Sequence, residues 1–278
     1  MREKKKKTII IEQNLTGKHS LETCEDGIVV TDDFIAVIDG STSKAACQLS
    51  EDMRNGQLAM TLVKKVIEEL PSESTLPDFC HAATHRIREV YAQHHIDIER
   101  LKIHAEERLT ASVVVYSVMR QEIWMIGDCQ CLAGDAYYDQ PKPMEEAIAA
   151  ERSVIIHKML STGTHTISSL ITHDDGRAVI VGQIIDSCKW QNILFSVIDG
   201  FDIPIEKTKC IDASQCKEII LASDGYPFLY PTLEESEEAL SRLLHDDPLC
   251  INQYKATKGL VKGNLSFDDR AYIRLKTI

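Results

Sequence analysis

Residues 34–39 read Phe-Ile-Ala-Val-Ile-Asp, an unbroken apolar run that ends on a carboxylate. A strand that is apolar on both faces has to be covered on both faces. This one segment therefore demands a layered architecture. The chain's 278 residues are enough to bury a large core. They fit one large domain or two small ones, and a single domain over 1–278 is the simplest reading.

The other segments say how the layers are arranged. Strand signals fall at 8–11, 27–31, 34–39, 111–117, 122–127 and 131–133, then at 179–185, 191–198, 218–223 and 270–275. Asp32-Asp33 makes a plausible hairpin turn between the second and third of these. A helical pattern runs over roughly 44–70, with Met53, Leu58, Leu62, Val66, Ile67 and Leu70 at helical spacing and Pro71 as its stop. Further helices are predicted over 76–94, within 141–163, and over 234–245, where the inner face is apolar and the outer face acidic. Strands come in neighbouring groups rather than alternating with helices. That favours antiparallel sheets with helices outside over a parallel doubly wound sheet.

Charge narrows the function classes. Formal net charge is −12, with 27% charged and 44% apolar residues. An acidic chain is repelled by nucleic acid and by anionic membrane surfaces, so neither is an expected partner. The nine cysteines are scattered, odd in number and without zinc-finger spacing. They imply a reducing compartment. The basic start, including Lys4–Lys7, is followed by too short an apolar stretch for a signal peptide. No run is long enough to span a membrane, so a cytoplasmic location is expected.

Aspartates recur where apolar strands end. Val37-Ile38-Asp39-Gly40 closes one strand, Ile126-Gly127-Asp128 another and Leu221-Ala222-Ser223-Asp224-Gly225 a third, while Asp268-Asp269 precedes the last. A carboxylate at the end of a buried strand is costly without a partner. No basic residue accompanies these acids in the sequence nearby. Hard cations such as Mg²⁺ or Mn²⁺ are the natural partners for an all-oxygen set. Two other Asp-Gly pairs are read as ordinary turns: Asp175-Gly176, and Asp199-Gly200, which closes a repeat of residues 37–40.

The ordered set resembles the PP2C-like family of metal-dependent phosphatases. It consists of Glu25-Asp26, Asp39-Gly40, Gly127-Asp128, Ser223-Asp224-Gly225 and Asp268-Asp269, and the resemblance spans roughly 17–275. It implies an α+β fold, a four-layer α-β-β-α sandwich of two antiparallel sheets flanked by helices. It also implies two divalent cations, Mn²⁺ or Mg²⁺, at one end of the sandwich. By motif position Asp39 bridges both ions and Gly40 offers its carbonyl to one. Asp224 and Asp268 bind the other, so Asp39, Asp224 and Asp268 are the implied catalytic residues. Glu25 and Asp26 act through water, Asp128 matches the acid near an optional third ion, and Asp269 stands behind Asp268 without touching an ion itself. Such ions lower the pKa of water and offset charge on phosphoryl oxygens, so a phosphate monoester is hydrolysed without a covalent enzyme intermediate. No cysteine stands in the Cys-x₅-Arg spacing of a cysteine-based phosphatase loop. The implied partner is a protein carrying phosphoserine or phosphothreonine, or a small phosphoester.

Three positions depart from the family pattern. Ser41 stands where many members carry a histidine that can protonate the leaving group. Leu21 stands where many carry a phosphate-gripping arginine, leaving Lys18, Lys44 and Arg54 as candidates for that task. Phe228 replaces an acid used by a third ion. The alternative is therefore a catalytically weak or inactive PP2C-like module with a binding or regulatory role.

Overall fold

The structure, a computed structural model, describes residues 7–42, 44 and 48–278. In chain order the elements are β1 (Thr8–Thr16), β2 (Asp26–Val30), β3 (Phe34–Gly40), α1 (Asn55–Glu69), α2 (Leu76–Gln93), α3 (Ile98–Ile103), β4 (Ala111–Ser117), β5 (Glu122–Ile126), β6 (Gln130–Ala133) and β7 (Ala136–Tyr138), and then α4 (Glu145–Ser161), α5 (Ile167–Thr172), α6 (Asp175–Cys188), β8 (Lys209–Asp212), β9 (Glu218–Ala222), α7 (Leu233–Asp246) and β10 (Arg270–Thr277).

They form two five-stranded antiparallel sheets, ordered β1-β10-β9-β6-β7 and β2-β3-β4-β5-β8. The apolar run that opens the argument is β3, and its alternation sorts two cores. Ile35 and Val37 face the other sheet, packing with Val114, Tyr116, Leu221 and Ile273. Phe34, Ala36 and Ile38 face outward, where α1 and α2 bring Leu62, Val63, Val66, Phe79 and Ile87. On the far side, Leu132, Ile220, Ala222 and Tyr272 pack with Tyr226, Leu229 and Leu233, so the start of α7 and the segment before it cover the first sheet. The result is the four-layer α-β-β-α sandwich.

Helices α4, α5 and α6 stand apart from these layers. Ile148 packs on Ile180 and Ile184, joining α4 to α6. Ile156 and Leu170 pack on Leu249 and Ile251. Arg152, wholly buried, pins this group down: it pairs with Asp174 at 2.6 Å and donates to the carbonyls of Leu249 (2.9 Å) and Ala256 (3.1 Å).

Four local expectations are corrected. Residues 179–185, expected as a strand, lie inside α6. Its Asp174 cap accepts from the Arg177 amide at 2.8 Å, and burial of Ile180 and Ile184 one turn apart outweighs the β-branched composition. The Asp175-Gly176 pair, expected as a turn, opens the same helix. Residues 191–198 form no strand and make only isolated bridges, including Ile198 to Ala111. The helix expected from residue 44 begins at Asn55. Ser43 and the stretch 45–47, with Cys47, lie outside the described residues. No helix among the described residues is long and apolar enough to cross a membrane.

Candidate metal centre

Strand register brings the acids to one end of the sandwich. Asp39, near the end of β3, pairs with Asp26 at the start of β2 and with Ser112 near the start of β4. In the other sheet, Ala222 ends β9 opposite Gln130 and Tyr272, near the starts of β6 and β10. Asp128, Asp224 and Asp268 flank those strand ends. One oxygen each from Asp39, Asp128 and Asp224 lies within 4.8 Å of the others. Asp268 lines the same cavity as Asp39 and Asp224.

Close backbone approaches make this possible. Gly127 has φ +83, and a Cβ there would lie 2.2 Å from Ser112 Oγ. That hydroxyl instead donates to Asp128 Oδ1 at 2.6 Å. A Cβ on Gly40 would meet the Gly56 carbonyl oxygen at 2.1 Å, so the end of β3 sits directly against the first turn of α1. Gly56 gave no signal in the sequence, because its partner Gly40 belongs to another element.

Burial and mutual repulsion set the electrostatics. Burial, then Asp26, Asp128 and Asp268, pushes the Asp39 carboxyl well above the usual carboxylate range. Asp224 is raised by burial and then by Asp39, Asp268 and Asp128. Asp26 is raised by burial and by Asp268, Asp224 and Asp269, against the Ser223 hydroxyl, which lowers it. Burial also pushes on Asp128 and Asp268, but lysines outweigh it and both fall below the ordinary value. Lys142 holds Asp128, and Lys258 together with Lys18 holds Asp268.

These lysines amend the expectation that the acids stand without basic company. Lys142 and Lys258 come from segments remote in sequence from the carboxylates they meet, so only the fold shows the pairing. Lys18 was a candidate for gripping phosphate. Its ammonium lies 3.3 Å from Glu25, 3.5 Å from Asp268 and 3.0 Å from Asp269, among carboxylates. Lys44 does line the cavity and donates to Ser41 Oγ at 3.0 Å. Arg54 is exposed at the N-cap of α1, outside the cavity lining. Leu21 is exposed, and no histidine among the described residues lines the cavity. Asp199, read from the sequence as a turn residue, is buried away from the site against Arg108 at 2.9 Å.

The donor set fits hard divalent cations. Glu25 Oε1 and Asp26 Oδ2 are buried without a hydrogen-bond partner. Three further carboxylates converge beside them, and all the side-chain donors are oxygens. A second group, His104, Glu106 and Glu107, is also close enough to ligate, but Glu107 is already gripped by Arg100 at 2.8 and 2.5 Å.

No family model matches the chain, and no curated protein matches it. Solved structures do. The catalytic domain of the serine threonine protein phosphatase PstP in complex with two manganese ions aligns over 98% of this chain and 100% of its own, at 14% identity and a TM-score of 0.48. The serine/threonine phosphatase PstP/Ppp of Mycobacterium tuberculosis aligns over 97% and 98%, at 13% identity and 0.47. The serine/threonine phosphatase Stp1 of Staphylococcus aureus aligns over 100% and 95%, at 14% identity and 0.43. In overall structure the chain is similar to these phosphatases.

Proposed function

We propose that the chain is a metal-dependent phosphatase of the PP2C-like type, acting on phosphate monoesters with two divalent cations, Mn²⁺ or Mg²⁺. The observation that carries this reading is the convergence of Asp39, Asp128 and Asp224 within 4.8 Å. Like charges gathered this closely under partial burial are held apart from water only if something compensates them. Asp39, Asp224 and Asp268, with the Gly40 carbonyl, would hold the cations, and Glu25 and Asp26 would act through water. When bound, such cations lower the pKa of water and offset charge on the phosphoryl oxygens.

The chain's own residues then divide the remaining tasks. Lys142 and Lys258 neutralise Asp128 and Asp268, which limits the negative field that an incoming phosphate dianion meets. Lys44, tethered to Ser41 beside Gly40, is placed to meet phosphoryl oxygens. With no histidine among the described residues lining the cavity, the leaving group receives its proton from water, so substrates with good leaving groups are favoured.

The test is turnover of 4-nitrophenyl phosphate. Activity is expected with Mn²⁺ or Mg²⁺ and none in excess chelator. Full activity in chelator would overturn the proposal.

A further inference from the structure

The three acids that converge within 4.8 Å are not equivalent. Among the described residues, the side chains of Asp39 and Asp224 form no ion pair and accept no hydrogen bond, and both line the cavity. Asp128 has both oxygens engaged. Its Oδ1 accepts from Ser112 Oγ at 2.6 Å and its Oδ2 from Lys142 Nζ at 2.5 Å. Lys142 therefore stands on the oxygen that Ser112 leaves open. Asp224 and Asp39 feel the same charge. One ammonium, charged throughout the neutral range, thus serves the whole group.

The chain around Lys142 holds it at this station. Residues 141–143 read Pro-Lys-Pro. Pro141 fixes its own φ, and Pro143 confines Lys142 to extended backbone. On one side Gln140 Nε2 donates to the Lys207 carbonyl at 3.0 Å. On the other the Lys142 carbonyl accepts from the Glu145 amide at 3.0 Å, at the start of α4. A lysine on a base this constrained has less freedom to lose when its head is held in one place.

A further ion at Asp128 would also lack a second acid. Phe228 stands where the resemblance places one, and its ring packs edge-on against Tyr254, 6.1 Å between centroids, in the apolar cluster beneath α7. Lys258 on Asp268 is the contrasting case. No proline flanks it, and Asp268 has a second ammonium, Lys18, at 3.5 Å. Asp128 has Lys142 alone.

We infer that the Lys142 ammonium takes the place of a third cation beside Asp128, so that Asp128 ligates no metal and the centre is limited to the ions held by the other acids. The inference rests on the metal-centre reading of Asp39 and Asp224, but it is tested by counting ions rather than by turnover.

Equilibrium dialysis against Mn²⁺ counts the ions bound. Wild type should hold two. Lys142→Ala, which removes the ammonium and leaves room for an ion with its waters, should hold one more. Lys142→Arg and Lys258→Ala should hold the wild-type number. Asp128→Asn alone should also leave the number unchanged, and added to Lys142→Ala it should remove the extra ion. Melting gives a second readout: Lys142→Ala should melt below wild type in chelator, because Asp128 loses its partner, and should gain more from Mn²⁺ than wild type does. Three ions in wild type, an unchanged count in Lys142→Ala, loss of an ion in Asp128→Asn, or an equal gain in Lys258→Ala would each overturn the inference. If Lys142→Ala does not fold, the Asp128→Asn count decides. If wild type holds fewer than two ions but Lys142→Ala still gains one that Asp128→Asn removes, the two-ion reading fails and the role of Lys142 stands. If none of these proteins binds Mn²⁺, both fall.

Discussion

Asp269 and Asp268 are adjacent in the chain but have separate tasks. The Asp269 carboxylate accepts from the backbone amides of Lys18 at 2.6 Å and Glu25 at 3.2 Å, and so ties the β1–β2 connection to the start of β10. Asp268 faces the cavity, and its charge is met by Lys258 and Lys18. Asp268→Ala is therefore expected to weaken Mn²⁺ binding far more than Asp269→Ala does in calorimetry. Asp269→Ala should lower stability instead, by about 1.5–3 kcal/mol for the loss of buried bonds to a charged acceptor. Equal losses of metal affinity would show the assignment to be wrong. Asp39→Asn removes one of the repelling charges at nearly constant volume. We expect it to abolish activity, yet to melt higher than wild type in chelator and to gain less from Mn²⁺. A metal-free mutant that melts below metal-free wild type would mean that Asp39 is a structural acid. Ser41→His is expected to speed hydrolysis of alkyl phosphates while leaving aryl phosphates nearly unchanged. The gain should stay below the ~10²–10⁴-fold of a well-placed acid, because the new ring would sit beside the Lys44 ammonium.

Among the elements, α4 and α6 depend on one buried arginine. Arg152→Met would leave Asp174 without its partner and orphan two carbonyls, at a cost of about 3–5 kcal/mol. Because Asp174 also caps α6, hydrogen exchange in α6 should accelerate more than in β3. Uniform acceleration would mean that α4–α6 do not open separately. This group was also the least legible part of the sequence. The segment Val179-Ile180-Val181-Gly182-Gln183-Ile184-Ile185 is rich in β-branched residues, and only contacts with Ile148 and the Asp174 cap decide for helix. By contrast β3, β4 and β9 were plain, because a run apolar on both faces has few other solutions. The acids of the candidate site were legible for a related reason: Asp39, Asp128 and Asp224 stand where such a run stops, and Asp268 stands just before one begins. Their lysine partners were not, since Lys142 and Lys258 have no strand pattern to mark them and reach the site only through the fold.

For the whole molecule, the gathered acids make stability depend on pH and metal together. Asp26, Asp39 and Asp224 have raised carboxyls, so the folded chain holds more protons than the unfolded chain from about pH 4 up to those raised values. Metal-free stability therefore falls as pH rises through that window. The lowered Asp128 and Asp268 act oppositely, and lose their contribution only below the ordinary carboxylate value. In chelator the melting temperature should be higher at pH 5.5 than at pH 8. Mn²⁺ should reverse the order, since it binds the deprotonated acids, adding about 2.7 kcal/mol at a hundredfold excess over its dissociation constant. A melting curve independent of pH in chelator would contradict the raised carboxyls. The sheet order carries a further consequence, for biosynthesis. Strand β10 lies between β1 and β9, although nearly the whole sequence separates it from β1. A ribosome must therefore release residues 268–277 before the first sheet can close. Until then the half-made chain has Asp39 and Asp224 but neither Asp268 nor the Asp269 buckle. The proposed ligand set thus stays incomplete in the nascent chain until residues 268–277 have left the ribosome.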